Sequence, residues 1–304
     1  MSIRVKIDCV DMSDELKDFG LFGPKSVAWR IHAHPSGWVG AIRALLLQAL
    51  EPRAMAGVAQ FSRFSEDAWR RFQTTSDFVM VVTYRSRSEA EGAISKVRSV
   101  HESIVGVDPY TGQPFDANDP YLLAYVHNCL VDSLLVAYVN IAGGLSRRDQ
   151  DRYVDEMAVL AELIGADATE IPRTAASLSR WMSSQSGLLL TAEAQLAAET
   201  IRRMNLPRHF RPAWGLAWNA SMAIMPSYAL ELYGFERDEL GSFVSTRLVC
   251  LAARILRAVL PSHPYYREAK YAYYDYYSRQ NGTSTLSCLT RLVTDLSSTV
   301  ESRY

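Results

Sequence analysis

Cysteine is scarce in this chain, and its spacing excludes two classes of protein. The four cysteines form no CxxC pair and lie far apart, at Cys9, Cys129, Cys250 and Cys288. Four such thiols are too few for a disulfide scaffold and are wrongly spaced for a zinc knuckle. Scattered thiols are typical of a reducing compartment, so we expect a cytoplasmic protein.

An excess of charge of one sign is also missing. The 304 residues contain 32 Lys and Arg against 33 Asp and Glu, a formal net charge of -1. Nucleic-acid-binding domains normally carry a basic excess, so we expect no nucleic-acid partner. Hydrophobic residues form 48% of the chain and charged residues 21%, which is typical of globular proteins and excludes general disorder.

Long hydrophobic runs are lacking as well. Residues 1–8 include charged side chains before any apolar run develops, so we expect no secretory signal. The uncharged stretch from Pro212 to Leu230 contains Asn219, Pro226 and two serines. A membrane span needs about 20 predominantly apolar residues. We therefore predict a buried helix here and no membrane span.

Four common catalytic motifs are absent from the sequence. It contains no P-loop, no GxGxxG after a strand, no HExxH and no GxSxG. The chemistry of any site must therefore be sought in residues that are dispersed along the chain.

The dominant pattern is helical. Residues Phe78 to Tyr84 are rich in β-branched and aromatic side chains, which is also typical of a strand. They continue a helical pattern from Ala68 without a Gly or Pro break. We therefore predict a buried helix over this segment.

Other helices are predicted from their end signals. Helix starts are indicated by Ser65 before two acidic residues, by a capping box from Ser86 to Glu89, by Asp119 before a proline, and by Ser146. Glycines at 106 and 165 are predicted to end two of them. The predicted helices cover about 68–84, 86–105, 121–141, 146–164, 173–182, 191–204, 212–233, 238–259 and 285–300.

The chain is predicted to form one all-α domain over residues 1–304. No long linker, repeat or low-complexity tract divides it. The segment from Gly106 to Asp119 is predicted to be a loop, because its Pro, Gly and Asp content favours successive turns. The tyrosine-rich stretch from Pro264 to Tyr277 is typical of rings at a core margin, and a substrate-facing or partner-facing role is the alternative.

Two of the six histidines are predicted to point into the core. Apolar residues share the helix side of each: Ile94, Val97, Val100 and Ile104 for His101, and Leu123, Val131 and Leu134 for His127. A core histidine bonded to a carbonyl or a carboxylate is one interpretation. A neutral imidazole in a helix-lined cavity is also what a heme iron needs as its proximal ligand.

The remaining histidines favour structural roles. His32 and His34 are two residues apart and would face different directions on a helix, which favours surface or cap roles over a metal site. His209 and His263 lie beside prolines and are also interpreted as structural.

Arg71 and Thr75 are four residues apart and therefore lie on one face of a helix. If that face is inward, the guanidinium requires an anionic or polar partner, such as a heme propionate or a substrate oxygen. If it is outward, the stem lies on the surface and the head in solvent. The spacing alone leaves both interpretations open.

The order of several short segments resembles the DUF2236 family, which includes latex-clearing protein (a rubber oxygenase) and MpaB-type oxygenases. The resemblance covers roughly residues 20 to 270. The matching segments are Gly23–Arg30, Leu45–Pro52, Ala56–Phe64, Arg71–Thr75 with Phe78 and Val79, Val97–His101, Gly112–His127, Leu206–Pro207 and Leu260–Pro261.

The resemblance implies an all-helical domain with a globin-like core that holds heme b. It implies that His101 is the proximal iron ligand and that Arg71 and Thr75 lie beside the heme, Arg71 near a propionate or the distal pocket. His127 is kept as the second candidate ligand. The implied activity is the oxidation of a small, partly apolar substrate with dioxygen or peroxide.

The chain departs from the rubber-cleaving branch in two ways. That branch has a lysine just before the threonine, where this chain has Thr74, and no residue here matches its catalytic glutamate. Cleavage of polyisoprene is therefore not implied. The alternatives are a non-catalytic protein that binds heme or an apolar ligand, and a metal-free interaction protein that uses the tyrosine-rich segment.

Overall fold

The structure is a computed structural model that describes residues 18–62, 64, 66–208, 210–236, 243–244, 246–253 and 263–280. The predicted helix over 285–300 lies outside the described residues. So do Ser65, His209 and much of the predicted helix over 238–259, of which residues 243–244 and 246–253 are helical.

The described part of the chain is almost entirely helical, which confirms the all-α prediction. A two-stranded hairpin pairs β1 (Val105–Val107) with β2 (Pro114–Asp116). The helices are α1 (Val27–His32), α2 (Gly37–Gln48), α3 (Pro52–Phe61), α4 (Ala68–Tyr84), α5 (Arg87–His101), α6 (Pro120–Ile141), α7 (Arg147–Ile164), α8 (Ala175–Ser183), α9 (Ala192–Arg202), α10 (Arg211–Ala223), α11 (Ser227–Tyr233) and α12 (Pro264–Gln280).

Most of the capping signals act as predicted. The capping box of Ser86 and Glu89 forms at the start of α5. The Asp119 carboxylate accepts hydrogen bonds from two backbone N–H groups at the start of α6, and Gly165 ends α7 in the left-handed conformation with a φ of 95°. The N-cap of α4 is Asp67, whose carboxylate accepts from the N–H of Arg70; Ser65, the predicted cap, lies outside the described residues.

The loop predicted from Gly106 to Asp119 is partly confirmed, because it contains turns but also two short strands. The helix ends at His101, four residues earlier than predicted, and the following residues form the hairpin, with Gly106 opposite Phe115. A Cβ on Gly106 would lie 2.8 Å from the Phe115 ring, so the glycine makes room for this aromatic side chain. The buried Asp108 carboxylate accepts from the N–H groups of Tyr110 and Thr111 and closes the turn.

The predicted helix over 212–233 is also corrected. It is divided into α10 and α11 at Met225 and Pro226. Proline has no N–H to donate and its ring clashes with the preceding turn, which breaks the helix. Helices α1, α2, α3 and α12 are short or weakly patterned and were not predicted.

One hydrophobic cluster draws on every helix from α1 to α11 except α3. Helix α3 instead packs through Met55 against α9, and through Ala56 against Phe115 of the hairpin. It therefore connects the hairpin to the rest of the fold. Helix α12 packs on α4, where Tyr266 contacts Tyr84 edge to face and Glu268 pairs with Arg85.

Helix α6 forms the centre of this core, and α2 packs along it. A buried ion pair joins the two helices: Arg43 Nη1 lies 2.7 Å from Asp132 Oδ2, and their side chains are only 4% and 10% exposed. The same guanidinium donates to Ser133 Oγ at 2.8 Å and to the Ile224 carbonyl at 3.0 Å. All three of these partners accept from the buried guanidinium.

Helix α6 is also long and apolar enough to cross a membrane by length and composition alone. In the fold, 78% of its most apolar window is buried among protein atoms. Core helices of globular proteins meet the same criteria, so this helix is weak support for a span.

His32 and His34 are buried, so the predicted surface role is wrong. His34 has the predicted cap role, since its Nδ1 accepts from the N–H of Ser36 at 3.1 Å. His32 Nδ1 lies 2.8 Å from Thr83 Oγ1, and its Nε2 lies 3.0 Å from the Tyr153 hydroxyl. Burial lowers the pKa of His32 to about 4.

The hydrogen bonds of His32 fix its tautomer. Thr83 Oγ1 donates its own proton to the Val79 carbonyl at 2.6 Å, so it must accept from His32. The proton of His32 is therefore on Nδ1, and Nε2 accepts from Tyr153. A chain of hydrogen bonds therefore runs from Tyr153 on α7 through His32 on α1 to Thr83 on α4.

Arg43→Met should lower the free energy of unfolding by about 3–5 kcal/mol, because Asp132 would remain buried without a partner. The double variant Arg43→Met, Asp132→Leu should recover much of this loss, as measured by urea unfolding. Arg87→Met, which removes an exposed ion pair with Glu91, is the control and should cost under about 1 kcal/mol. A double variant as unstable as the single one would contradict the prediction.

His32 should make stability depend on pH. Its folded pKa of about 4 lies below the ordinary value of 6.5, so the unfolded chain binds the proton first and stability falls as the pH drops from 6.5 towards 4. From pH 7 to pH 5 the protein should lose about 2 kcal/mol more than His32→Gln, measured by urea unfolding. Equal losses would show that folded His32 is already protonated at pH 5.

Candidate cofactor site

Helices α4 and α5 form an αα-hairpin that brings two predicted site residues together. Only Arg85 and Ser86 connect the helices. In such a hairpin, residues at equal distances from the connection lie opposite each other, and Arg71 and His101 are at nearly equal distances. The positive charge of Arg71 contributes to lowering the pKa of His101, which reflects this proximity.

The region around Arg71, Thr75 and His101 is called the recess, because its side chains are partly surrounded by protein and partly open to solvent. Arg71 Nη1 donates a short hydrogen bond to Ser62 Oγ, just beyond the end of α3. The side chain is exposed to solvent, yet enough protein surrounds it that burial lowers its pKa. Within the part of the chain that the structure describes, no carboxylate pairs with Arg71. The recess therefore contains a positive charge that has only a hydroxyl as its partner.

Thr75 lies in the same recess. It lies on the arc of α4 that also carries Phe72, Val79 and Val82, all of which are buried. Thr75 is nevertheless exposed, as is Arg71 one turn before it. The second half of this face is thus buried, whereas its first half combines the buried Phe72 with the exposed Arg71 and Thr75. The Thr75 hydroxyl donates to the Arg71 carbonyl at 3.1 Å.

His101 is only half-buried, so the predicted inward position is partly wrong. Ile94 on the same side of α5 is buried, but Val100 is 55% exposed. The helix ends at His101, so Ile104 is not part of its apolar face. Burial thus decreases along α5 towards its C-terminus and along α4 towards its N-terminus. These two termini lie at the same end of the helical hairpin.

The ring of His101 is neutral and incompletely bonded. Burial lowers its pKa, against opposing effects of the Ala117 backbone, Asp116 and Asn118. His101 Nδ1 and Asn118 Oδ1 are both buried, and neither has a hydrogen bond of acceptable geometry among the described residues. The turn after β2 therefore holds acceptors beside the ring without satisfying it fully.

His127 is buried as predicted, with Leu123, Val131 and Leu134 on its side of α6. Burial lowers its pKa to about 4. Its ring forms no hydrogen bond with any residue in the described ranges. Arg71 affects the pKa of His101 and not that of His127. The structure therefore groups Arg71, Thr75 and His101 and leaves His127 apart from them.

Ser62 and Asn118 are the site residues that sequence reasoning missed. Ser62 follows α3 and Asn118 precedes α6, so neither has a helical pattern that links it to Arg71 or His101. Only the packing of α3 and of the hairpin brings them to the site. No local signal in the sequence indicates either contact.

Two other recesses lie away from these residues. A cavity of about 460 Å³ lies between the segment after α8 and α11, and one of about 390 Å³ lies beside Asn140 and Cys250. Neither is lined by Arg71, Thr75, His101 or His127. Among the described residues, no group of three or more His, Cys, Asp or Glu could hold a bare metal ion.

A family model described as "ER-bound oxygenase mpaB/B'/Rubber oxygenase, catalytic domain" matches residues 29–258. The chain belongs to this family of oxygenase catalytic domains, and the matched region contains all four predicted site residues. No curated protein and no solved structure matches the chain.

Arg71→Gln should raise the pKa of His101, because the substitution removes a nearby positive charge that disfavours the protonated ring. The pKa is measured by an NMR titration of the His101 Cε1–H signal. Arg70→Gln is the control, since Arg70 leaves α4 on another side and should have no effect. An unchanged pKa in Arg71→Gln would contradict the proximity of the two side chains.

Proposed function

We propose that the protein is a heme b-dependent oxygenase that oxidises a small, partly apolar substrate with dioxygen or peroxide. The observation that carries this proposal is the recess beside α4 and α5. It combines the guanidinium of Arg71, which has no carboxylate partner among the described residues, with the neutral imidazole of His101 in a chain that belongs to an oxygenase family. One side chain suits an anion and the other suits a metal.

The residues of the recess fit heme b. A heme iron takes most of its ligands from the macrocycle, so one neutral histidine is sufficient to hold it. His101 would be that ligand, and His127, also neutral, is the second candidate. Among the described residues the guanidinium of Arg71 makes one hydrogen bond, to Ser62, which leaves donors for a propionate. A carboxylate partner would also offset the partial desolvation of the guanidinium.

The turn after β2 would orient the proximal ligand. A metal-bound histidine usually donates its other ring N–H to a carbonyl or carboxylate, which fixes the ring and raises its basicity. The Ala117 backbone and Asn118 stand beside His101 in this role, and both favour a proton on the ring. A small rotation of either side chain would satisfy both His101 Nδ1 and Asn118 Oδ1.

Heme, when bound, would supply the activation of the oxidant. The chain would supply the shape of the pocket, exclude water from it and place a positive charge beside it. Phe72 and Val79 form an apolar wall beside Thr75 on α4. This wall would exclude water from the substrate. The Thr75 hydroxyl donates its proton in a hydrogen bond to the Arg71 carbonyl. Its oxygen therefore presents lone pairs to the recess.

The test is the absorption spectrum of protein produced with a heme precursor, with a pyridine hemochrome assay for stoichiometry. A Soret band at near one heme per chain is expected. His101→Ala should lose the band and His127→Ala should retain it. Heme retained by His101→Ala and lost by His127→Ala would overturn the assignment and make His127 the ligand.

Arg71 provides a second readout. Arg71→Ala should release heme to apomyoglobin faster than the unsubstituted protein does, whereas Arg70→Ala should not. Holo-protein that neither binds dioxygen nor reduces peroxide would indicate a non-catalytic binding protein. Protein that stays colourless with added hemin would contradict the heme proposal altogether.

A further inference from the structure

Four aromatic rings from three helices meet on the flank of the recess. Trp38 of α2, Trp69 and Phe72 of α4 form a group with centroids 5.5–5.9 Å apart and planes within 26° of parallel. Trp214 of α10 stands edge-on to this group, at 84° to Phe72 and 89° to Trp38. Together these residues are called the aromatic platform.

Two rings of the platform are buried and one is half exposed. Phe72 and Trp214 are buried, and the Trp214 indole N–H donates to the Ile201 carbonyl at 2.8 Å. Trp38, in contrast, is 47% exposed although it contacts all three other rings. An indole that contacts three other rings and is still half exposed offers ring surface to another ring.

The platform adjoins the cofactor recess without belonging to it. Trp69 is two residues before Arg71, so their side chains leave α4 on nearly opposite sides. Around the helix, Phe72 lies between Trp69 and Thr75. It therefore borders both the aromatic platform and the recess. A group stacked on the platform would therefore lie beside the recess, and a chain extending from it past Phe72 would reach Thr75.

We propose that the aromatic platform binds a planar aromatic group of the substrate. The near-parallel rings favour a flat, conjugated ligand, because offset stacking adds to the apolar contact that any hydrophobic group would make. The word substrate here rests on the proposed oxygenase function. Binding to the platform itself needs no heme.

The test measures the binding of 2-naphthol and of its saturated analogue decahydro-2-naphthol by isothermal titration. The two probes share a ring skeleton and a hydroxyl, but only 2-naphthol is planar. It should bind about tenfold more tightly. Trp38→Leu should weaken 2-naphthol binding about tenfold, while Trp38→Phe should largely retain it. Tyr271→Leu, which removes an exposed aromatic ring on α12, should have no effect.

The titration is repeated with heme-loaded protein to separate the platform from the cofactor recess. Unchanged affinity is expected. Loss of 2-naphthol binding on heme loading, equal binding of the two probes, or no effect of Trp38→Leu in a variant with unchanged circular dichroism would each overturn the proposal. Colourless protein that still discriminates the probes would contradict the heme function and leave the platform intact.

Discussion

The ion pair between Arg43 and Asp132 fixes the register of α2 on α6, and the rest of the fold is arranged around that contact. A buried charge tolerates little displacement, because its partners must stay within hydrogen-bond distance. With Arg43 held at the middle of α2, Trp38 is held at one end of the helix and Gln48 at the other, where its amide donates to the Val126 carbonyl. The aromatic platform and the far end of α2 thus share one anchor.

The recess itself follows from how burial changes along two neighbouring helices. On α4 and α5 the residues near the connection, such as Val82 and Ala90, are completely buried. Towards the far ends the same faces carry Arg71 and Thr75, which are exposed, and His101, which is half-buried. A hairpin of two helices that packs tightly at one end and is open at the other leaves room for a ligand between helices.

The sequence predicts this fold well wherever a local signal decides the structure. Caps such as Ser86 and Asp119 act through their immediate neighbours, and the inward face of His127 follows from spacing alone. The pairing of Arg71 with His101 was available from the family resemblance and from hairpin geometry. Arg43 with Asp132, Ser62 with Arg71, and Gly106 with Phe115 could not be predicted, because each contact joins residues whose approach depends on tertiary packing.

Pro226 has a consequence for the charge at the centre of the fold. By dividing α10 from α11, it leaves the Ile224 carbonyl outside any continuous helix, and that oxygen is the one that accepts from Arg43 Nε. An uninterrupted helix would direct the carbonyl to a backbone N–H of its next turn. The interruption therefore supplies an oxygen that solvates the guanidinium as a water molecule would, and it does so from a part of the chain that carries no charge.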